Sequence, residues 1–189
     1  MREALRVYAT WAEQYKYPVI LSINISALQL KKDNFTDQLL HLLNLYDIKP
    51  ECIELEITES IFIDDFEEVI DKMRSLRMLG IRVSLDDFGT GFSSLSYLRD
   101  LPIDTLKIDK SFVDMTMKDK STDIITESVV SMVKKLGLET VAEGVETQEQ
   151  FDYLKKIHCD NIQGFLTGRP MTKIDIEKLI AEHNEAVKE

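Results

Sequence analysis

The chain has 189 residues, 44% of them hydrophobic and 30% charged, and a formal net charge of -11. That length supports one sizeable core and excludes two ordinary domains, while the acid excess excludes a surface built for duplex nucleic acid but leaves room for a small phosphate ligand held with cations. Cys52 and Cys159 form no Cys-x-x-Cys, no basic segment leads into an apolar run, and "YPVILSINI" is too short to span a bilayer, so a cytoplasmic domain with reduced thiols and no membrane segment is expected.

The opening "MREALRVYATW" reads as the interior of an amphipathic helix with no capping residue ahead of it. Leu5, Tyr8, Ala9 and Ala12 recur at helical spacing as the apolar stripe. Glu3, the first residue of a Glu-Ala-Leu triplet, falls on the opposite side and is expected to face solvent outside any site.

Six strand-helix units follow. The candidate strands are "VILSINIS", "CIELEIT", "RVSLDD", "TLKID", "ETVAEG" and "NIQGFL". Helices are expected to start near Asn34, Asp64, Ser93, Asp119, Thr147 and Thr172, with a capping box at Thr147 and Gln150 and stops at Gly80 and Gly137. His41, His158 and His183 are scattered, which argues against a histidine-built zinc site.

Alternation along the strands separates two faces. Ile53, Leu55 and Ile57 oppose Glu54, Glu56 and Thr58; Ile23 and Ile25 oppose Ser22, Asn24 and Ser26; Val83 and Leu85 oppose Ser84 and Asp86; Leu106 and Ile108 oppose Lys107 and Asp109. A sheet covered on both sides would read as continuous apolar runs. Polar residues on one face near the C-terminal ends fit a barrel whose lining turns hydrophilic at its mouth, where barrel enzymes keep their chemistry.

Asn24, Glu56, Asp86, Asp87 and Glu143 would there supply hard oxygen ligands suited to Mg²⁺ or Mn²⁺, and Lys107 would balance charge or orient a water. Each acid taken singly reads equally well as a helix cap or the partner of a surface lysine. Together, buried without cations, they would destabilise the fold; a metal cluster resolves that conflict. The loop after Asp86, "DFGTGFSSLSYL", contains Phe88, Gly89, Thr90 and Gly91, and its glycines reach backbone angles closed to other residues. Asp-Phe-Gly also occurs in protein kinases, but their other motifs are missing.

With these residues in view, the chain resembles the EAL domain, the bacterial phosphodiesterase family that linearises cyclic di-GMP. The resemblance runs in order through "NIS" at Asn24, "ELEITES" from Glu54, "DDFGTGFSSLSYL" from Asp86, "LKIDKSFV" from Leu106, "AEGVET" from Ala142 and "QGFLTGRPM" from Gln163. It implies an α/β fold, a TIM-like (β/α) barrel of the EAL type with an antiparallel first strand and a two-metal centre at the mouth. Asn24, Glu56, Asp86, Asp87 and Glu143 match the family's ligands, and Lys107 the lysine near the attacking water. Glu59 matches the glutamate that holds the glycine loop, and Glu146 and Gln163 match further site positions. The implied reaction is two-metal hydrolysis of cyclic di-GMP to linear pGpG, in a homodimer downstream of a sensory or GGDEF domain.

The family's own Glu-Ala-Leu lies on a strand upstream of the Asn24 motif, so Glu3-Ala4-Leu5 is not that signature. The sequence reads as six of eight strands, an incomplete, N-terminally truncated barrel with impaired activity expected. Two other readings stay open: an inactive module that binds cyclic di-GMP or a protein partner, and an unrelated six-stranded doubly wound domain.

Overall fold

The structure, a computed structural model, describes residues 1–15, 19–63, 66–89 and 98–186. Among the described residues six strands form one parallel sheet whose spatial order is the chain order: β1 (Leu21–Asn24), β2 (Ile53–Thr58), β3 (Arg82–Phe88), β4 (Thr105–Ile108), β5 (Glu139–Ala142) and β6 (Asn161–Ile162). A doubly wound sheet reverses its strand order at a switch point, whereas a barrel wall adds each strand beside the last. The unbroken order therefore excludes the doubly wound alternative and makes the sheet the curled wall of an incomplete TIM-like barrel.

Helices connect the strands. α1 (Arg2–Tyr15) precedes β1; α2 (Ala27–Leu30) and α3 (Phe35–Leu45) lead to β2; and α4 (Phe66–Met78) leads to β3. Among the described residues α5 (Lys110–Met115) and α6 (Lys120–Lys135) lie between β4 and β5, then α7 (Gln148–Lys156) before β6 and α8 (Lys173–Ala186) after it. Asp109 caps α5 by accepting from the Ser111 amide, and Asp119 caps α6 through Ser121 and Thr122. The capping box at Thr147 and Gln150 forms as expected, and Gly80 and Gly137 follow α4 and α6 in left-handed conformations. The short α2 and α5 escaped the periodicity argument because four and six residues hold too little of a 3.6-residue repeat. The helices expected near Asp64 and Ser93 start outside the described residues.

The strand alternation holds. Ile53, Leu55, Ile57, Val83, Leu85 and Leu106 are fully buried on the helix side of the wall, each stabilising the fold by about 1.5–3 kcal/mol relative to exposure. On α1, Leu5 and Tyr8 are buried and Glu3 is exposed, paired with Arg6. Ala12 is exposed, contrary to the expected stripe: it lies on the open groove between α1 and Tyr46–Cys52. At the far end of the wall Trp11 Nε1 donates to Glu177 Oε1 at 3.1 Å, joining α1 to α8.

β6 is two residues long where the pattern "NIQGFL" suggested six. From Gln163 onward the chain turns to the loop after β5: the Gln163 amide donates to Ala142 O, the Val145 amide to Gln163 O and the Leu166 amide to Val145 O. Beside it, Asp160 accepts from the Thr140 amide and hydroxyl at 3.0 and 2.8 Å. Burial alone would raise its pKa; those hydrogen bonds and Lys134 outweigh it and hold the carboxyl below the usual range. A depressed folded pKa gives stability that is present above the unfolded value, about 3.9, and lost as pH falls through the folded one. Asp160→Asn is therefore expected to cost about 1 kcal/mol in urea unfolding at neutral pH, with the deficit shrinking as the pH approaches that folded value. A deficit independent of pH would assign the loss to shape and not to charge.

Candidate active site

The inner face of the wall carries its charges in two tiers. At the mouth, Lys107 on β4 is buried, and its ammonium lies 3.1 Å from Glu56 Oε2, 3.1 Å from Asp86 Oδ1 and 2.7 Å from Glu143 Oε1. One cation on the middle strand thus gathers carboxylates from β2, β3 and the residue after β5. Burial opposes the ammonium charge, but the hydrogen bond to Glu143 and the charges of Glu56, Glu143 and Asp86 outweigh it and raise the pKa well above the ordinary lysine range.

Asp87 reaches the same place by a backbone irregularity. Strict alternation would send it to the opposite face from Asp86. Instead the β3–β4 register shifts between Leu85 and Phe88, and Asp87 takes a left-handed φ of 56°. The bulge turns consecutive residues toward one end. Carboxylate oxygens of Asp86, Asp87 and Glu143 then lie within 4.8 Å of one another. Burial, followed by the charges of Asp86 and Asp109, pushes the Asp87 carboxyl up. Burial likewise raises Glu143, with Asp86 and Glu56 adding to it and Lys107 opposing.

Four carboxylates around one ammonium leave a local charge of about −3, a surplus that invites cations. The donor set is hard oxygen, with no histidine or thiolate, as Mg²⁺, Mn²⁺ or Ca²⁺ prefers. Asn24 stands on β1 in register with Glu56 on the same face, exposed at the edge of the wall.

Glu59 is buried directly after β2, and its Oε2 accepts from the Gly89 amide at 3.5 Å. Gly89 has φ +101°, and a Cβ there would sit 2.3 Å from the Phe112 ring, so both backbone angle and space require glycine. Phe88 is buried beside it, whereas Thr90 and Gly91 lie outside the described residues. Glu146 is exposed and ion-paired to Lys110, apart from the acidic cluster; Gln163 is exposed beyond β6 and held there through its backbone. The lower tier, formed by Arg82, Glu54, Thr105 and Glu139, went unrecognised in the sequence. Arg82 opening a strand that ends in Asp86 and Asp87 was its visible sign.

A family model, the EAL domain, matches residues 1–170. The oxygen sensor protein DosP of Escherichia coli is 41% identical over 92% of this chain and 22% of its own length; the cyclic di-GMP phosphodiesterase PA2567 of Pseudomonas aeruginosa is 36% identical over 94% and 30%. The chain thus spans less than a third of either relative. The EAL enzyme Bd1971, solved with cAMP and cyclic di-GMP bound, superposes with a TM-score of 0.90 at 34% identity, over 95% of this chain and 50% of that one. The manganese and cyclic di-GMP complex of Klebsiella pneumoniae BlrP1 gives 0.81 at 29% identity, over 91% and 44%. On this match of motif, wall and mouth, the chain belongs to the EAL domain family.

Proposed function

We propose that this chain is the cyclic di-GMP phosphodiesterase module of a larger signalling protein, yielding linear pGpG. The observation that carries the reading is the convergence of Glu56, Asp86 and Glu143 on Lys107 at the mouth of the wall, with the Asp87 carboxylate beside those of Asp86 and Glu143. Asp86, Asp87 and Glu143, with Glu56 and Asn24, would hold two divalent cations, Mg²⁺ or Mn²⁺. When bound, such ions acidify water and stabilise charge on the entering and leaving oxygens. Lys107, already charged and fixed, is placed to orient a water and to offset phosphate charge. Glu59 steadies the start of the Gly89 loop, and Gln163 and Glu146 border the nucleotide. A relative named as an oxygen sensor and another, MucR of Pseudomonas aeruginosa, named as a bifunctional diguanylate cyclase and cyclic di-GMP phosphodiesterase support an upstream sensory or GGDEF domain as part of this proposal, and a homodimer belongs to the same reading.

A second reading is nucleotide binding without turnover. It draws on Glu3, the one glutamate of the Glu-Ala-Leu triplet, which sits on the exposed side of α1 paired with Arg6 and supplies nothing to the mouth. Incubating the chain with cyclic di-GMP and Mn²⁺ separates the two. Release of pGpG, cut by on the order of 100-fold in Glu56→Ala, is the expected result. Calorimetric binding of the nucleotide with no pGpG would make the chain a sensor.

A further inference from the structure

We infer that Arg82, acting with Glu54 and Glu139, is a positioning residue: a gauge at the base of the wall that sets the strand spacing on which the acidic mouth depends. This rests on the two-cation reading above. Arg82 Nε donates to Glu54 Oε1 at 3.4 Å, and Nη2 donates to Thr105 Oγ1 at 3.2 Å and Glu139 Oε2 at 2.8 Å. Thr105 Oγ1 donates to Glu54 Oε1 at 2.8 Å, and Ser22 Oγ donates to Glu54 Oε2 at 3.2 Å. One guanidinium therefore ties together β2, β3, β4 and β5, and Glu54 extends the tie to β1.

The span from β3 to β5 is the telling one. These strands are not neighbours, and in a flat sheet they run about 9.6 Å apart. Arg82 reaches Glu139 across β4 at the base, and Lys107 joins Asp86 to Glu143 across the same interval at the mouth. Side chains two apart on a strand share a face, so Glu54 and Thr105 stand one step below Glu56 and Lys107. Arg82 and Glu139 stand two steps below Asp86 and Glu143. The base and the mouth thus lie on the inner face of the same four strands, one step apart on β2 and β4 and two on β3 and β5.

The two tiers differ in what can undo them. Cations drawn to the mouth compete with Lys107 for its carboxylates, so that clasp loosens as ions enter. Arg82 faces no such competitor and stays charged at every accessible pH. Its fork fixes geometry in two directions, as a lysine ammonium does not. Glu139 is half-exposed, so its pair with Arg82 adds little to overall stability, and its effect lies in where it holds the strands.

The test compares Arg82→Met, Arg82→Lys and Glu139→Gln with Val130→Ala, a cavity variant in the hydrophobic core at α6 that removes no charged or polar group. Lys107 protection from an amine-acylating reagent is read by mass spectrometry without metal, and Mn²⁺ affinity by calorimetry. Arg82→Met and Glu139→Gln are expected to speed Lys107 acylation and to raise the Mn²⁺ Kd, each about 10-fold, with Arg82→Lys between them and the wild type. Val130→Ala should lower Tm and change neither. Unchanged Lys107 reactivity in both base variants overturns the inference, as does an equal rise in Val130→Ala. If the wild type takes up no Mn²⁺ while Lys107 is exposed only in the base variants, the two-cation reading fails and the gauge stands.

Discussion

Lys107→Met is expected to destabilise the metal-free chain by about 3–5 kcal/mol, the cost of leaving buried charge without its partner. Glu56, Asp86 and Glu143 all turn on this one ammonium, which is 4% exposed and has little water to replace it. Because its folded pKa is raised, the lysine's contribution is complete below the unfolded value of about 10.4 and is lost only as pH rises through the folded one. The full deficit therefore shows at neutral pH. Lowering the pH should shrink it, since the abandoned carboxylates can then take up protons. Divalent cations offer a second remedy: Mn²⁺ at about 100 times its Kd returns about 2.7 kcal/mol. Urea unfolding in EDTA and in Mn²⁺, for wild type and variant, reads both effects. A variant as stable as the wild type in EDTA would mean that the three acids do not depend on Lys107.

Gly164→Ala is expected to cost about 3 kcal/mol, at the top of the range for overpacking, because the added methyl meets backbone and not a pliable side chain. A Cβ at Gly164 would lie 2.1 Å from Val145 O and 2.3 Å from Val145 N. Those same atoms make the bonds to Leu166 and Gln163 that replace a longer β6. The substitution must pry the segment after β6 away from the loop after β5, carrying Gln163 away from Glu143 and Glu146. Thermal melts should show the loss, and hydrogen exchange should show it concentrated at the Val145 and Leu166 amides. A melt within about 1 °C of the wild type would mean that the two segments separate freely.

The wall was legible because its signal is local. Alternation in "CIELEIT" and "RVSLDD" separates the buried Ile53, Leu55, Val83 and Leu85 from the inward Glu56 and Asp86 without knowledge of any neighbour. Lys107 could be placed on the inner face for the same reason, but its simultaneous hold on three strands is a property of curvature, which no single strand encodes. Asp87 was placed at the mouth although a period of two points it away; the bulge that brings it there leaves no mark in the pattern. The base network stayed hidden because Arg82, Glu54 and Glu139 are far apart in sequence, and each alone reads as an ordinary charged strand residue. Where β6 would end depended on a backbone approach at Gly164 that alternation in "NIQGFL" cannot anticipate.

The left-handed turn of the chain at position 87 sets a rule about which amino acids can stand there. A φ of 56° is comfortable for glycine, asparagine and aspartate and costly for nearly everything else. An anionic oxygen donor restricts the choice to aspartate and glutamate. The two sets overlap in a single member. Asparagine keeps the backbone and removes only the charge, whereas glutamate keeps the charge and strains the backbone, so this pair of replacements separates the two demands that aspartate meets at once.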